Sequence, residues 1–170
     1  MIFLIGYMCS GKTTVARALS HIMKLQFTDL DKYIEKSSGM SIPEIFAIKG
    51  EQWFRKSETE ALQTLIESGT NRIISCGGGT PCFNDNINLM KSSGLIVYLK
   101  LSPEMLASRI SHSKTTRPLL DNLEGPELLR FVKEHLKYRE TFYNQADIIA
   151  EKDMLKTANL FKIIIDATSH

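Results

Sequence analysis

Apolar positions along this chain fall into two rhythms. Short continuous runs, Ile2-Phe3-Leu4-Ile5, Arg72 to Cys76, Leu95 to Leu101 and Asp147-Ile148-Ile149-Ala150, have the length and β-branched content of strands buried on both faces. A shorter run, Gln26-Phe27-Thr28, predicts one more strand, ending at Asp29-Leu30-Asp31. Between the runs, apolar residues recur at helical spacing. Val15, Ala18, Leu19, Ile22 and Met23 predict a helix over Thr14–Lys24, and Tyr33 and Ile34 one that stops at Gly39. Ser41-Ile42-Pro43-Glu44 is a capping-box pattern opening a helix to about Lys49, which Gly50 interrupts. Trp53, Phe54, Ala61, Leu62, Leu65 and Ile66 predict a long helix over Glu51–Ser68, and another is expected near Asn84–Ser92. Ser102-Pro103-Glu104 starts a further helix with Ser102 as N-cap. After Arg109 the periodicity lapses, so His112 to Arg117 is expected to be a mobile loop; helices return over Pro126 to about Gln145 and Leu155–Ala167.

Strands alternating with helices imply a parallel sheet with right-handed crossovers, whose ligands bind outside the carboxyl ends of the strands. That rule places Gly6–Thr13, Asp29/Asp31 and Gly77–Gly79 on one edge. The 170 residues, 43% of them hydrophobic, suit one α/β domain with no linker or repeat. A net charge of +2 with acids and bases interspersed leaves no basic stripe, so no nucleic-acid partner is expected. No apolar run has membrane-spanning length, and no leader precedes the first strand, so neither a membrane nor an export route is expected. The three cysteines, Cys9, Cys76 and Cys82, lack metal-ligand spacing and read as reduced thiols of a cytoplasmic protein.

The chemistry centres on Gly6-Tyr7-Met8-Cys9-Ser10-Gly11-Lys12-Thr13, which matches G-x-x-x-x-G-K-[ST] between a predicted strand and helix. In that setting loop and helix N–H groups face phosphates, Lys12 reaches the terminal phosphates and the Thr13 hydroxyl can ligate Mg²⁺. Asp29 and Asp31 would share a face if the segment is extended, one holding Mg²⁺ through water and the other accepting a proton from a substrate hydroxyl. Plain loop carboxylates, or a helix N-cap at Asp31, are the simpler reading. Gly77-Gly78-Gly79 permits close approach of a ligand to the backbone, where a mere turn would also use glycine. Arg117 in the polar loop is a candidate lid arginine. Arg55, beside Trp53-Phe54, and Arg139 suit a substrate carboxylate if they converge.

Taken together these segments resemble the shikimate kinase family over nearly the whole chain. The resemblance rests on Leu4-Ile5-Gly6-x-Met8-x-Ser10-Gly11-Lys12-Thr13, Asp29-x-Asp31, Ser41-Ile42-x-Glu44-Ile45-Phe46 and Gly50-Glu51-x-x-Phe54-Arg55-x-x-Glu58. It continues through Ile74-Ser75-x-Gly77-Gly78-Gly79, Arg117-Pro118-Leu119-Leu120 and Arg139-x-x-x-Tyr143. It implies a three-layer P-loop kinase fold with a five-stranded parallel sheet, a substrate-binding helical region at about 31–62 and a lid at about 110–124, all in one kinase domain over 1–170. The activity implied is transfer of the γ-phosphoryl group of ATP to the 3-hydroxyl of shikimate, with Mg²⁺. On this resemblance Lys12, Asp31 and Arg117 are catalytic. Gly6, Cys9, Ser10, Gly11, Lys12, Thr13, Thr14, Arg109 and Arg117 hold the nucleotide, and Thr13 and Asp29 serve the metal. Asp31, Phe46, Phe54, Arg55, Gly77, Gly78, Gly79 and Arg139 hold shikimate, with Glu58 orienting Arg55. Cys9 stands where the family commonly has glycine, and Cys76 where threonine often precedes the triple glycine.

A kinase for another hydroxy acid or for a nucleotide would share the fold and loop. The paired arginines, the triple glycine and Asp31 favour a carboxylated polyol. A silent binding module is the remaining alternative, against which every expected catalytic position is filled. A monomer is expected.

Overall fold

The computed structural model describes residues 1–113 and 123–168. Its sheet has five parallel strands, β1 (Ile2–Ile5), β2 (Gln26–Asp29), β3 (Arg72–Ser75), β4 (Leu95–Leu99) and β5 (Ile148–Ala150), in the order β2-β3-β1-β4-β5. The central strand β1 is buried at all four positions. Its side chains alternate between two cores: Phe3 and Ile5 face one, Ile2 and Leu4 the other.

Helices α1 (Lys12–Met23) and α8 (Thr157–Thr168) close the second core through Ala16, Leu19, Leu160 and Ile164. The other face is covered by α2 (Leu30–Ser38), α3 (Ile42–Ile48), α4 (Gly50–Glu67), α5 (Asn86–Ser93), α6 (Pro103–Ser111) and α7 (Gly125–Tyr143). These are the layers of a P-loop kinase fold, and the element order agrees with the periodicity of the sequence.

Local chemistry sets the boundaries. Gly39 ends α2 in the left-handed region, its N–H donating to the Glu35 carbonyl. The Ser41 N–H donates to Glu44 Oε2 at 2.8 Å, and Ser102 Oγ accepts from the Met105 N–H at 3.3 Å. Helix α5 starts at Asn86 rather than Asn84, because Asn84 and Asp85 take positive φ. Two 3₁₀ turns, Thr80–Cys82 and Lys152–Leu155, have no periodicity to announce them. Helix α1 opens at Lys12, two residues ahead of the sequence expectation, so Lys12 and Thr13 occupy its first turn. Helix α6 runs to Ser111 with Ile110 still in the core, so the first residues of the expected 110–124 lid belong to a helix. The rest of that lid, with Arg117, lies largely outside the described residues.

Candidate active site

The phosphate-binding end follows directly from β1. The backbone turns sharply at Gly6, whose φ is +141° and where a Cβ would sit 2.9 Å from the Leu99 carbonyl oxygen, so only glycine fits. The loop then enters α1 with Lys12 buried and its Nζ donating to the Gly6 and Tyr7 carbonyls at 2.9 and 2.8 Å. Arg109, reaching over from α6, donates to the Cys9 and Ser10 carbonyls at 3.3 and 3.2 Å. Cys9 holds φ +61°, in the left-handed region. Ser10 is buried and its Oγ has no hydrogen-bond partner among the described residues. Gly11 and Thr14 line the same cavity, of about 240 Å³, which runs on to Asp29, Asp31 and Gly77.

Asp29 and Asp31 do not lie on one extended segment, contrary to the sequence expectation. Asp29 is the last residue of β2 and caps α2, its Oδ1 accepting from the Lys32 N–H at 3.3 Å. Its Oδ2 accepts from Thr13 Oγ1 at 2.8 Å, and that hydroxyl lies 3.2 Å from Ser75 Oγ. Asp31 sits in the first turn of α2, so it is not the N-cap either. Both carboxylates nevertheless reach the cavity, because the strand-to-helix bend turns the chain over the sheet edge. The Asp31 carboxyl is pushed up from 3.8 to about 6, by burial first and then by the Glu58 and Asp29 charges, with Lys12 opposing. Its Oδ1 is buried and has no hydrogen-bond partner among the described residues.

The triple glycine is a surface against which charged side chains stand. A Cβ on Gly77 would come within 2.8 Å of Asp31 Oδ1 and 2.9 Å of Glu58 Oε1. One on Gly78 would meet Arg139 Nη1 at 3.0 Å, and one on Gly79 would meet Arg55 Nη1 at 2.6 Å. Two guanidinium groups from α4 and α7 therefore converge on adjacent glycines, which sequence alone left open. Both also bear on the Cys82 thiol; burial dominates there and pushes it up to about 11. Cys76 is buried and pushed up by burial too, so both thiols are poor nucleophiles.

The two arginines differ in how they are held. Arg55 Nη1 donates to Glu58 Oε2 at 2.6 Å, and Nε and Nη2 donate to Glu51 Oε1 at 3.1 and 2.9 Å. Its guanidinium lies over the Phe83 and Phe54 rings, at 4.2 and 5.2 Å. Glu58 is buried and accepts also from Thr80 Oγ1 at 2.6 Å. Arg139 is 6% exposed and has no carboxylate within ion-pair distance among the described residues. It rests 5.3 Å from the Tyr7 ring centre. A buried cation without an anion is costly unless a ligand supplies one. The Phe46 and Phe54 rings pack against each other with centres 4.9 Å apart.

Some neighbours of these side chains were given no role in the sequence reading. Thr80 follows the triple glycine directly, which was its one available signal. Tyr143, whose hydroxyl donates to the Gly78 carbonyl, lies one helical turn after Arg139. Phe83, Tyr7 and His135 gave none, since their roles depend on contacts across the fold.

A family model described as shikimate kinase matches residues 8–169. A shikimate kinase of Azobacteroides pseudotrichonymphae is 45% identical over 148 residues, 87% of each chain. Among solved structures, a shikimate kinase from Bacteroides thetaiotaomicron superposes with a TM-score of 0.88 at 35% identity, covering 99% of this chain and 98% of that one. One from Acinetobacter baumannii, in complex with shikimate, gives 0.84 at 32% identity and covers 99% and 92%.

Proposed function

The chain belongs to the shikimate kinase family, and we propose that its two clusters of site residues divide the reaction between them. The reaction is transfer of the γ-phosphoryl group of ATP to the 3-hydroxyl of shikimate, giving shikimate 3-phosphate and ADP, with Mg²⁺ as cofactor. The observation that carries the division is the line of charge along the triple glycine: Asp31 at Gly77, Arg139 at Gly78 and Arg55 at Gly79.

In this reading the shikimate carboxylate docks on Arg139 and Arg55. Their planar forks match a carboxylate, and Arg139 brings a positive charge that no described side chain neutralises. The ring lies against Gly77, Gly78 and Gly79, with Phe46 and Phe54 on its apolar side. That pose directs the 3-hydroxyl to Asp31, which orients it and takes its proton as the oxygen attacks phosphorus. A carboxyl that titrates near 6 is ionised at neutral pH, yet basic enough to accept that proton.

At the other end Gly6, Cys9, Ser10, Gly11 and Thr14 wrap the phosphates with backbone N–H groups, and Lys12 offsets charge on the transferred group. Arg109 holds the loop from outside and flanks the nucleotide. Arg117, outside the described residues, is assigned by resemblance as the lid cation on the transferred group. The Thr13 hydroxyl and Asp29 carboxylate form an oxygen pair of the kind Mg²⁺ takes alongside phosphate oxygens, so these residues fit the ion. When bound there, Mg²⁺ supplies charge neutralisation on the β- and γ-oxygens.

The remaining assignments follow from the same reading. The kinase domain spans 1–170, with α2, α3 and α4 as the substrate region at about 31–62, and the enzyme works as a monomer in the cytoplasm. Supporting this, the described residues pack on one sheet, and none of their helices is long and apolar enough to cross a membrane.

The test is ADP release in a coupled assay with Mg·ATP, with and without shikimate, and with gluconate and AMP as alternative acceptors. Release that depends on shikimate alone is expected. Equal release with gluconate or AMP would overturn the assignment of the arginine pair to this acceptor.

A further inference from the structure

Tyr7 occupies a variable position of the phosphate loop, yet it is only 1% exposed. A large ring buried in a phosphate loop calls for an explanation, and its side-chain contacts lead to α7. The hydroxyl lies 2.9 Å from Nδ1 of His135, a residue of α7 that is 128 positions away in sequence. The two rings meet edge to face at 5.6 Å, and Phe131 closes on His135 at 5.3 Å. Arg139, one turn further along α7, sets its guanidinium 5.3 Å from the Tyr7 ring centre. The Tyr7 backbone carbonyl accepts from Lys12 Nζ at 2.8 Å and from the Ser10 N–H at 3.2 Å.

We propose that Tyr7 and His135 are positioning residues that hold Arg139 in its acid-binding orientation against the phosphate loop. The inference rests on Arg139 being a carboxylate-binding group, as proposed above. A guanidinium over an aromatic face is attracted by the ring quadrupole, but only while the ring stays flat beneath it. Packing around the buried Tyr7 ring limits its rotation, and the hydrogen bond to His135 fixes its far end. Because His135 and Arg139 lie four residues apart on α7, one helix carries both the cation and the anchor of the ring beneath it. His135 is held down to about 4, by burial and then by the Arg139 charge, so at neutral pH its ring is uncharged. A neutral imidazole completes the bond to a phenol in either tautomer, and it adds no second cation beside Arg139.

The test uses the full chain with Tyr7→Phe, His135→Phe, the double variant, His135→Asn and Arg139→Ala. Steady-state constants are measured for both substrates, with calorimetric titration of shikimate. Tyr7→Phe keeps the ring, the fold and the carbonyl that serves Lys12, and removes only the hydroxyl. It is expected to weaken shikimate about five-fold, the worth of one hydrogen bond, with the KM for ATP and kcat held within about two-fold. His135→Phe should match it. The double variant should be no worse than either single one, since both break the same bond. His135→Asn, whose Oδ1 stands near the position of Nδ1, should recover most of the loss.

Unchanged shikimate affinity in both single variants would overturn the proposal. So would an equal rise in the KM for ATP, which a general loosening of the loop would give, or a double variant as bad as the product of the singles. Arg139→Ala separates the two levels. If it leaves shikimate affinity intact, the acid-binding reading itself fails. If it abolishes affinity while Tyr7→Phe changes nothing, only the positioning role fails.

Discussion

The two ends of the proposed site, one for phosphate and one for the acceptor, are built on opposite principles. The phosphate end is a contiguous stretch of backbone, from Gly6 to Thr14, in which carbonyls and N–H groups make the contacts and side chains are secondary. The acceptor end is a set of side chains gathered from α2, α4, α7 and the β3 edge, with Arg55 held by Glu58 and Arg139 resting on Tyr7. Backbone recognition needs only a loop of the right shape, and many chemistries share it. Side-chain recognition needs several elements packed in register, and it specifies one acceptor. Substitutions should therefore separate the ends: changes at the acceptor end should be severe and selective for shikimate, and changes to loop side chains other than Lys12 and Thr13 mild.

The largest effect is expected at Asp31. Asp31→Asn should lower kcat by about 10²–10⁴-fold while ATP still binds, because the acceptor hydroxyl loses its base. Loss of ATP affinity in equal measure would blur the division between the ends. The wild-type pH profile should also fall about ten-fold per unit below pH 6, the region to which this carboxyl is raised, and the variant should lose that limb. Stability moves the other way. A carboxyl raised from 3.8 to about 6 favours folding while protonated in both states, and that advantage is lost as pH rises through 6. At pH 8 Asp31→Asn should be the more stable protein, by up to about 3 kcal/mol in urea unfolding, and the difference should shrink towards pH 4.

Arg139→Ala comes next, weakening shikimate by about 2–5 kcal/mol in calorimetry if its charge is met only by the bound acid, with ATP affinity unaffected. Glu58→Gln should follow. It removes the buried anion that holds Arg55 at 2.6 Å and the Thr80 hydroxyl at 2.6 Å, leaving a cation without its main partner. A loss of about 3 kcal/mol in stability is expected, reduced where Glu51 retains its grip on the other edge of the fork, together with a higher KM for shikimate alone. Unchanged thermal stability would show that Glu51 suffices.

The same contrast explains what the sequence revealed. Strands β1, β3 and β4 are apolar on both faces and bounded by glycine or polar residues, so their pattern had one interpretation. The phosphate loop was legible because all its parts are neighbours in the chain. Asp29 and Asp31 were found as a pair, but their geometry was misjudged: the strand ends at Asp29, whose side chain begins a helix at once. Convergence of Arg55 with Arg139 depends on how α4 and α7 pack on the same face of the sheet, which no local pattern encodes. Tyr7 and His135 were invisible for the same reason, since nothing at either position signals a partner 128 residues away.

The smallest predicted effect tests the backbone half of the comparison. Cys9 holds φ +61° within the loop, where a Cβ clashes with the neighbouring carbonyl at a cost of about 1–2 kcal/mol. Cys9→Gly removes that strain, while the freer unfolded chain takes back about 0.4–1 kcal/mol. The net expectation is a gain of about 0.5–1 kcal/mol, or about 1–4 °C in midpoint for a chain of this size. The KM for ATP should stay within about two-fold if, as proposed, main-chain N–H groups and Lys12 meet the phosphate, since the Cys9 carbonyl that Arg109 grips is unchanged. A destabilised variant, or one with weakened ATP binding, would mean that the thiol makes contacts worth more than the strain it imposes. The phosphate end would then depend on its side chains as the acceptor end does.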